Sequence, residues 1–379
     1  MDNKLFNELE DQLNEIFVEK QEIIRGLLIG LLSQEHVLLI GPKGSAKSEI
    51  AECICQSLEG KYFRRLLDKS LTPDEIFGPH SLKGLENDQY RRVVKGKLPE
   101  ADVAFLDEIF KCNSATLNSM LTCLNERVYF NESPDGSSDR IQIPLKFAVG
   151  ASNEMPESKE ELGAFWDRFL LRYMTSYVKS PKSFVGMINS RADARNQPKL
   201  KVDPKKLRKS YDQALKDITG IKMTSPGEMM LSLKELLSKE NIEVSDRRWI
   251  KCMKIVAAEA WLNGHPQVEK DDYGILIHSL WEEPEQYNTV KRLMLRHLNP
   301  SIQAVADLRD EAFDIMTKCM NADSVDQSKL ATEANTKLKV ILKKLDKIKG
   351  EKKVKNIDET IQEVADWNKQ VVDKCLLGI

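Results

Sequence analysis

Val37-Leu38-Leu39-Ile40-Gly41-Pro42-Lys43-Gly44-Ser45-Ala46-Lys47-Ser48 decides the reading of this chain. The four apolar residues, bounded by polar ones and closed by Gly-Pro, predict a central strand buried on both faces. Gly41 to Ser48 is close to the pattern G-x-x-x-x-G-K-[ST], in which backbone N–H groups wrap a phosphate. Ala46 replaces the last glycine, a change of one methyl that is tolerated if the backbone there keeps a negative φ. Lys47 is expected to neutralise the β- and γ-phosphates and Ser48 to hold Mg²⁺, while the following helix directs its N-terminal dipole at the anion. A Gly-Pro turn between strand and helix is the bland alternative.

A second stretch separates the two readings. Val103-Ala104-Phe105-Leu106-Asp107-Glu108 is an apolar strand ending in adjacent carboxylates. Asp107 is placed to reach Mg²⁺ and Glu108 to polarise a water for in-line attack at the γ-phosphate. A GTPase of the small, switch-bearing kind would want Gly three residues after the Asp, where this chain has Phe110, and Asn-Lys-x-Asp, which it lacks, so ATP is favoured. A further strand, Phe147 to Ala151, leads to Asn153, a polar amide expected at the same sheet edge and able to orient the lytic water. Trp166-Asp167-Arg168-Phe169-Leu170-Leu171-Arg172 brings two arginines ahead of a fifth strand, and an arginine there can act on a neighbour's γ-phosphate.

Outward from these motifs, strands at Tyr62–Leu67 and Arg172–Val178 join the other three, with helical patterns between, which argues for a parallel sheet covered by helices. Two β-hairpins are expected to project from it. One lies between Ile76 and Pro99 and turns at Gly84-Leu85-Glu86-Asn87-Asp88; the other has Arg127–Phe130 and Ile141–Ile143 flanking Ser133–Ser138. Strand signals fade after Ser180, and Asn299-Pro300 marks another break. The plan is a nucleotide-binding core at 1–180, a helical lid at 181–299 and a helical extension at 300–379. In the last, Leu338, Ile341, Leu342, Leu345 and Ile348, then Ile357, Ile361, Val364, Trp367 and Val371, predict an antiparallel helical pair turning near Gly350.

Composition narrows the class. The 379 residues carry 57 basic and 59 acidic side chains, a net charge of −2, so no global pull toward nucleic acid or anionic lipid is implied. Lys337–Lys355 is rich in lysine but lacks aromatics for base stacking, so nucleic acid is disfavoured as a partner without being excluded. The apolar run Ile23–Leu32 is far short of the ~20 residues that span a bilayer. Seven cysteines with no Cys-x-x-Cys pair, and five histidines without zinc-ligand spacing, point to reduced thiols, no dedicated metal cage and a cytoplasmic location.

The order of these elements resembles an AAA+ ATPase, and the details resemble its MoxR family, nearest the RavA-type branch. The resemblance rests on Gly41–Ser48 with its alanine, Thr72-Pro73-Asp74-Glu75-Ile76-Phe77-Gly78-Pro79, Phe105–Lys111, Leu117–Leu121 continuing to Asn125-Glu126-Arg127, Ala151–Glu154 and Asp167-Arg168-Phe169. Ser245-Asp246-Arg247-Arg248-Trp249 carries it into the lid. It implies a three-layer αβα core with a parallel sheet and two hairpin inserts, an all-α lid and a C-terminal helical hairpin. By the family pattern Asn153 is sensor 1, Arg168 the arginine finger and Arg247 the sensor 2 arginine, with Arg248 as a neighbour not excluded. It further implies ATP and Mg²⁺, a homo-hexameric ring with ATP between subunits, and remodelling of a client protein, often beside a partner bearing a von Willebrand factor A domain. The competing readings are an NTP-driven motor subunit of a DNA-acting, restriction-like system and a regulatory module that uses ATP only as a clamp.

Overall fold

The computed structural model describes residues 2–86, 91–132, 138–154, 166–192, 200–320, 327–351 and 357–376. The chain divides into two compact units, Met1–Lys234 with Glu243–Trp281, and Glu235–Ile242 with Glu282–Ile379.

The first unit is built on a parallel sheet whose strands are β1 (His36–Ile40), β2 (Tyr62–Leu66), β3 (Val103–Asp107), β6 (Phe147–Ser152) and β7 (Phe169–Met174), in the order β2-β3-β6-β1-β7. β1 and β6 are buried along their whole length and β3 up to Leu106, as apolar runs without alternation require when helices cover both faces. β1 pairs with β6 on one side (Val37 with Val149, Ile40 with Ser152) and with β7 on the other (His36 with Phe169, Ile40 with Met174). The expected fifth strand therefore starts three residues earlier, because Phe169, Leu170 and Leu171 are buried and belong to the ladder with β1. Helix α1 (Lys4–Ile16) buries Phe6, Leu9 and Leu13, whereas α2 (Gln21–Ser33) is buried nearly all round, an interior helix against the sheet. α3 (Lys47–Ser57) follows the phosphate loop.

Of the two expected hairpins, the second is a ladder of β4 (Val128–Glu132) with β5 (Ser138–Gln142), and its tip at 133–137 lies outside the described residues. The first is reduced to one antiparallel bridge between His80 and Arg92, reinforced by Ser81 N–H to Arg91 O at 2.8 Å and Val93 N–H to Pro79 O at 2.8 Å. Local capping explains the difference. Thr72 and Glu75 form a capping box that starts α4 (Pro73–Phe77), and the Ser81 hydroxyl accepts from Gly84 N–H at 3.2 Å and starts α5 (Leu82–Leu85), so the chain coils where a strand was expected. The rest of that turn, 87–90, is outside the described residues.

In the second unit, helices Pro300–Met320, Gln327–Glu351 and Ile357–Val371 pack against one another around Ala312, Cys319, Leu338, Ile341, Leu345, Val364 and Val371. The expected pair is present, with a third helix closing its open face; Gly350 is still helical. Among the described residues no helix is long and apolar enough to cross a membrane.

Candidate active site

The carboxyl ends of β1, β6 and β3 lie side by side, so the segments that leave them, Gly41–Ser48, Asn153 and Glu108, meet at one sheet edge. Gly41, at φ +146°, could not be any other residue, since an added Cβ would sit 2.3 Å from the Thr175 carbonyl oxygen. Gly44 also has positive φ, +74°, with open space beside it. Ala46 is at φ +65°, the left-handed region, so the condition of negative φ is not met and the loop holds its alanine against a steric cost. The Ser45 hydroxyl closes the loop on itself by donating to Pro42 O at 2.9 Å and lies 3.1 Å from the Thr175 hydroxyl.

Lys47 is buried, and its ammonium turns into the loop, donating to Gly41 O at 2.5 Å, Pro42 O at 3.1 Å and Asn153 Oδ1 at 3.2 Å. Burial pulls its pKa below the ordinary lysine value, and the charges of Asp107 and Glu108 oppose that shift. Asn153 donates through its other amide atom to Glu108 Oε1 at 2.5 Å, linking Lys47 and the carboxylate through one side chain. Glu108 is buried at φ +53°, a strained backbone at the end of β3. Its Oε1 also faces Lys43 Nζ at 3.2 Å, whereas its buried Oε2 accepts no hydrogen bond among the described residues, the Lys111 ammonium standing 3.5 Å away. That carboxylate oxygen, ion-paired with Lys111 but without a hydrogen-bond donor among the described residues and held beside the Gly41–Ser48 loop, has room to accept from a water. Half-buried Ser48 and Asp107 flank the same edge and are the residues that would hold Mg²⁺.

Beside the loop lies an apolar cavity of about 240 Å³. Ile16, Phe17, Gly44, Ala46, Tyr177 and Phe184 line it, with Lys20 as its one charged side chain among the described residues. Tyr177 is tied to the loop by its hydroxyl, which donates to Lys43 O at 3.0 Å. A mostly apolar pocket of this size, sharing Gly44, Ser45 and Ala46 with the loop, has room for a flat ring of a small ligand.

The arginines sit elsewhere. Arg168 occupies the turn before β7, at the amino end of a strand whose carboxyl end reaches Gly41, so about 20 Å of strand separates it from its own chain's phosphate loop. Arg247, exposed at the start of helix Asp246–Asn263, is near enough for its charge, after burial, to lower the pKa of Arg168. Arg248 is buried instead and donates to Leu170 O at 3.2 Å and Ser279 O at 3.0 Å. Arg172, read from the sequence as a possible finger, is fully buried over the Trp166 ring, 4.3 Å from its centroid, and donates to Phe169 O at 3.2 Å and Trp166 O at 3.3 Å. It is a core residue.

The structure thus brings together Lys47, Asn153 and Glu108 and leaves Arg168 and Arg247 at the opposite edge. Sequence reading missed the cavity, because residues 16–18 and 177–187 are far apart in the chain and carry no spacing signal. It also missed Lys43 and Lys111 as partners of Glu108, although both lie within the quoted motifs.

Residues 4–207 match the family model described as the MoxR domain in the MoxR-vWA-beta-propeller ternary systems, and residues 227–294 match an AAA lid domain. An uncharacterized protein of Methanocaldococcus jannaschii is 34% identical over 96% of both chains. Chaperone MoxR1 of Mycobacterium tuberculosis is 28% identical over 44% of this chain and 43% of its own length. A crystal structure provisionally named an ATPase, from Cytophaga hutchinsonii, superposes with a TM-score of 0.60 over 78% of this chain and 94% of that one, at 16% identity, a likeness of fold.

Proposed function

Because the chain belongs to the MoxR family of AAA+ ATPases, we propose that it hydrolyses ATP in a ring of identical subunits and uses the motion to remodel a client protein. The observation that carries the reading is the linked triad of Lys47, Asn153 and Glu108 at one sheet edge beside an apolar, base-sized cavity. The loop's N–H groups and Lys47 bind the phosphates, and the cavity holds the adenine. Ser48 and Asp107 would carry Mg²⁺, which supplies charge neutralisation at the β- and γ-phosphates. Glu108, fixed through Oε1 by Asn153, presents Oε2 to the attacking water and takes its proton. Arg168, remote from its own loop, is assigned to the neighbouring subunit's site, and Arg247 on the same edge goes with it.

The finer assignments rest on the family. The hexamer is the assembly that the family resemblance implies, the remoteness of Arg168 from its own loop supports a site shared between subunits, and the alanine-bearing loop supports a place beside the RavA-type branch. The matched domain's description supports a von Willebrand factor A partner and a β-propeller protein as companions. We keep the division into core 1–180, lid 181–299 and extension 300–379 as a proposal; the lid match at 227–294 supports a lid within 181–299. Among the described residues no disulfide joins the cysteines, which fits a reducing compartment such as the cytoplasm.

Glu108→Gln tests the chemistry. The variant should bind ATP with Mg²⁺ as the parent does and lose about 10²–10⁴-fold in phosphate release, the usual contribution of a positioned base. Unchanged turnover would remove Glu108 from that role.

A further inference from the structure

The finger segment Trp166-Asp167-Arg168-Phe169-Leu170 is clamped by two buried arginines. Arg172 takes the carbonyls of Trp166 and Phe169 from below, and Arg248 takes the carbonyl of Leu170 from the lid helix. One side chain in the segment is held as well. Asp167 Oδ1 accepts from the Arg248 guanidinium at 3.3 Å, and its Oδ2 faces Arg168 Nη1 at 3.4 Å. One carboxylate thus bridges two arginines of opposite character, Arg248 with a side chain 1% exposed and Arg168 at the mouth of the turn.

The geometry makes Arg248 a poor phosphate sensor. Its guanidinium is spent on Leu170 O, Ser279 O and Asp167, and releasing it would leave two buried carbonyls unpaired. It is also pinned at its own base, since its N–H donates to the Ser245 hydroxyl that caps the helix, at 3.3 Å. Arg168 is the opposite. Its contact with Asp167 is long, and its Nε has no acceptor among the described residues, so the head group is aimed without being locked.

We infer that Asp167 and Arg248 are positioning residues for Arg168: the buried Arg248 guanidinium fixes the Asp167 carboxylate, and that carboxylate sets the direction in which Arg168 is offered to the next subunit. The lid helix Asp246–Asn263 thereby reports its place to the neighbour's catalytic site through two side chains. This rests on the shared-site reading proposed above.

The test is subunit mixing with a Lys47→Ala chain, whose own site is dead and whose finger is intact. Asp167→Asn should lower kcat for ATP about 10- to 100-fold with KM nearly unchanged, the effect of a misaimed group. Mixed one to one with Lys47→Ala, it should recover about a quarter of parental activity, because a random ring pairs a sound site with a sound finger at that frequency. Arg248→Gln should behave alike, and adding either change to Arg168→Ala should cost nothing further. If Arg168→Ala is rescued by mixing while Asp167→Asn is not, or if Asp167→Asn keeps parental kcat, the positioning role is overturned. If Arg168→Ala itself is not rescued at any ratio, the shared-site reading fails and takes this inference with it. Should Arg248→Gln fail to fold, Asp167→Asn, with its side chain a third exposed, carries the decision.

Discussion

Ala46 holds φ at +65° in the tightest part of the phosphate loop, where the pattern has glycine and an L-residue is strained by about 1–2 kcal/mol. Gly at this position would relieve that strain and add about 0.4–1 kcal/mol of unfolded-state entropy. The two terms oppose, and strain is the larger. Ala46→Gly is therefore expected to stabilise the protein by roughly 0.5–1 kcal/mol, read as a higher urea midpoint at unchanged slope. A lower midpoint would mean that the methyl makes contacts worth more than the strain. Glu108, at φ +53°, is strained in the same way, and there the side chain explains why: the left-handed turn directs the carboxylate to Asn153 and Lys43 rather than onward along β3.

At the scale of elements, His36 ties three of them together. Its Nδ1 accepts from Ala148 N–H of β6 at 2.9 Å, so the neutral ring carries its proton on Nε2 and donates it to Leu124 O, in helix Ser114–Glu126, at 2.7 Å. A second proton would have to face that N–H. Burial first, then the charges of Arg127 and Lys251, hold the ring well below the ordinary histidine value of 6.5. The sign follows. Below pH 6.5 the unfolded chain binds a proton that the folded one refuses, so stability is lost as pH falls from 6.5 toward the depressed value, at up to about 1.4 kcal/mol per pH unit. Urea midpoints between pH 7.5 and 5 should fall more steeply for the parent than for His36→Asn; equal slopes would mean that other groups dominate acid sensitivity. Arg127, which follows that helix and donates to Gln34 O at 2.9 Å and Lys146 O at 3.2 Å, extends the same knot to the base of the β4–β5 hairpin. Nothing in the spacing of His36 foretold this. A lone histidine opening an apolar strand has no sequence signature for a partner 88 residues away.

For the whole molecule, Arg168 stands the length of β7 away from Lys47, and on the shared-site reading proposed above the isolated chain is an incomplete enzyme. ATP turnover per subunit is expected to climb with protein concentration, in step with a rise in mass seen by light scattering when ATP is present. Constant specific activity from a monomer would overturn the ring. At this scale the sequence was partly legible: the αβα core, its strand-loop-helix order and the ladder of the second hairpin follow from apolar runs and turn residues. The first hairpin did not, because two short caps at Thr72 and Ser81 outweigh weak strand propensity, and the third helix of the second unit was overlooked because Ala312, Ile315 and Cys319 make a faint stripe.

Local chemistry in the chain was enough to pick out the Gly41–Ser48 loop, the paired carboxylates and the amide that the fold gathers at one sheet edge, since each depends on residue types within a few positions of one another. Which arginine stays at the surface, which is buried in the fold, and how Asp167 joins Arg168 to Arg248 depend on strands and helices distant in sequence meeting in space. Arg247 and Arg248 are adjacent and chemically identical. One helical step of about 100° places the first in solvent and the second in the core.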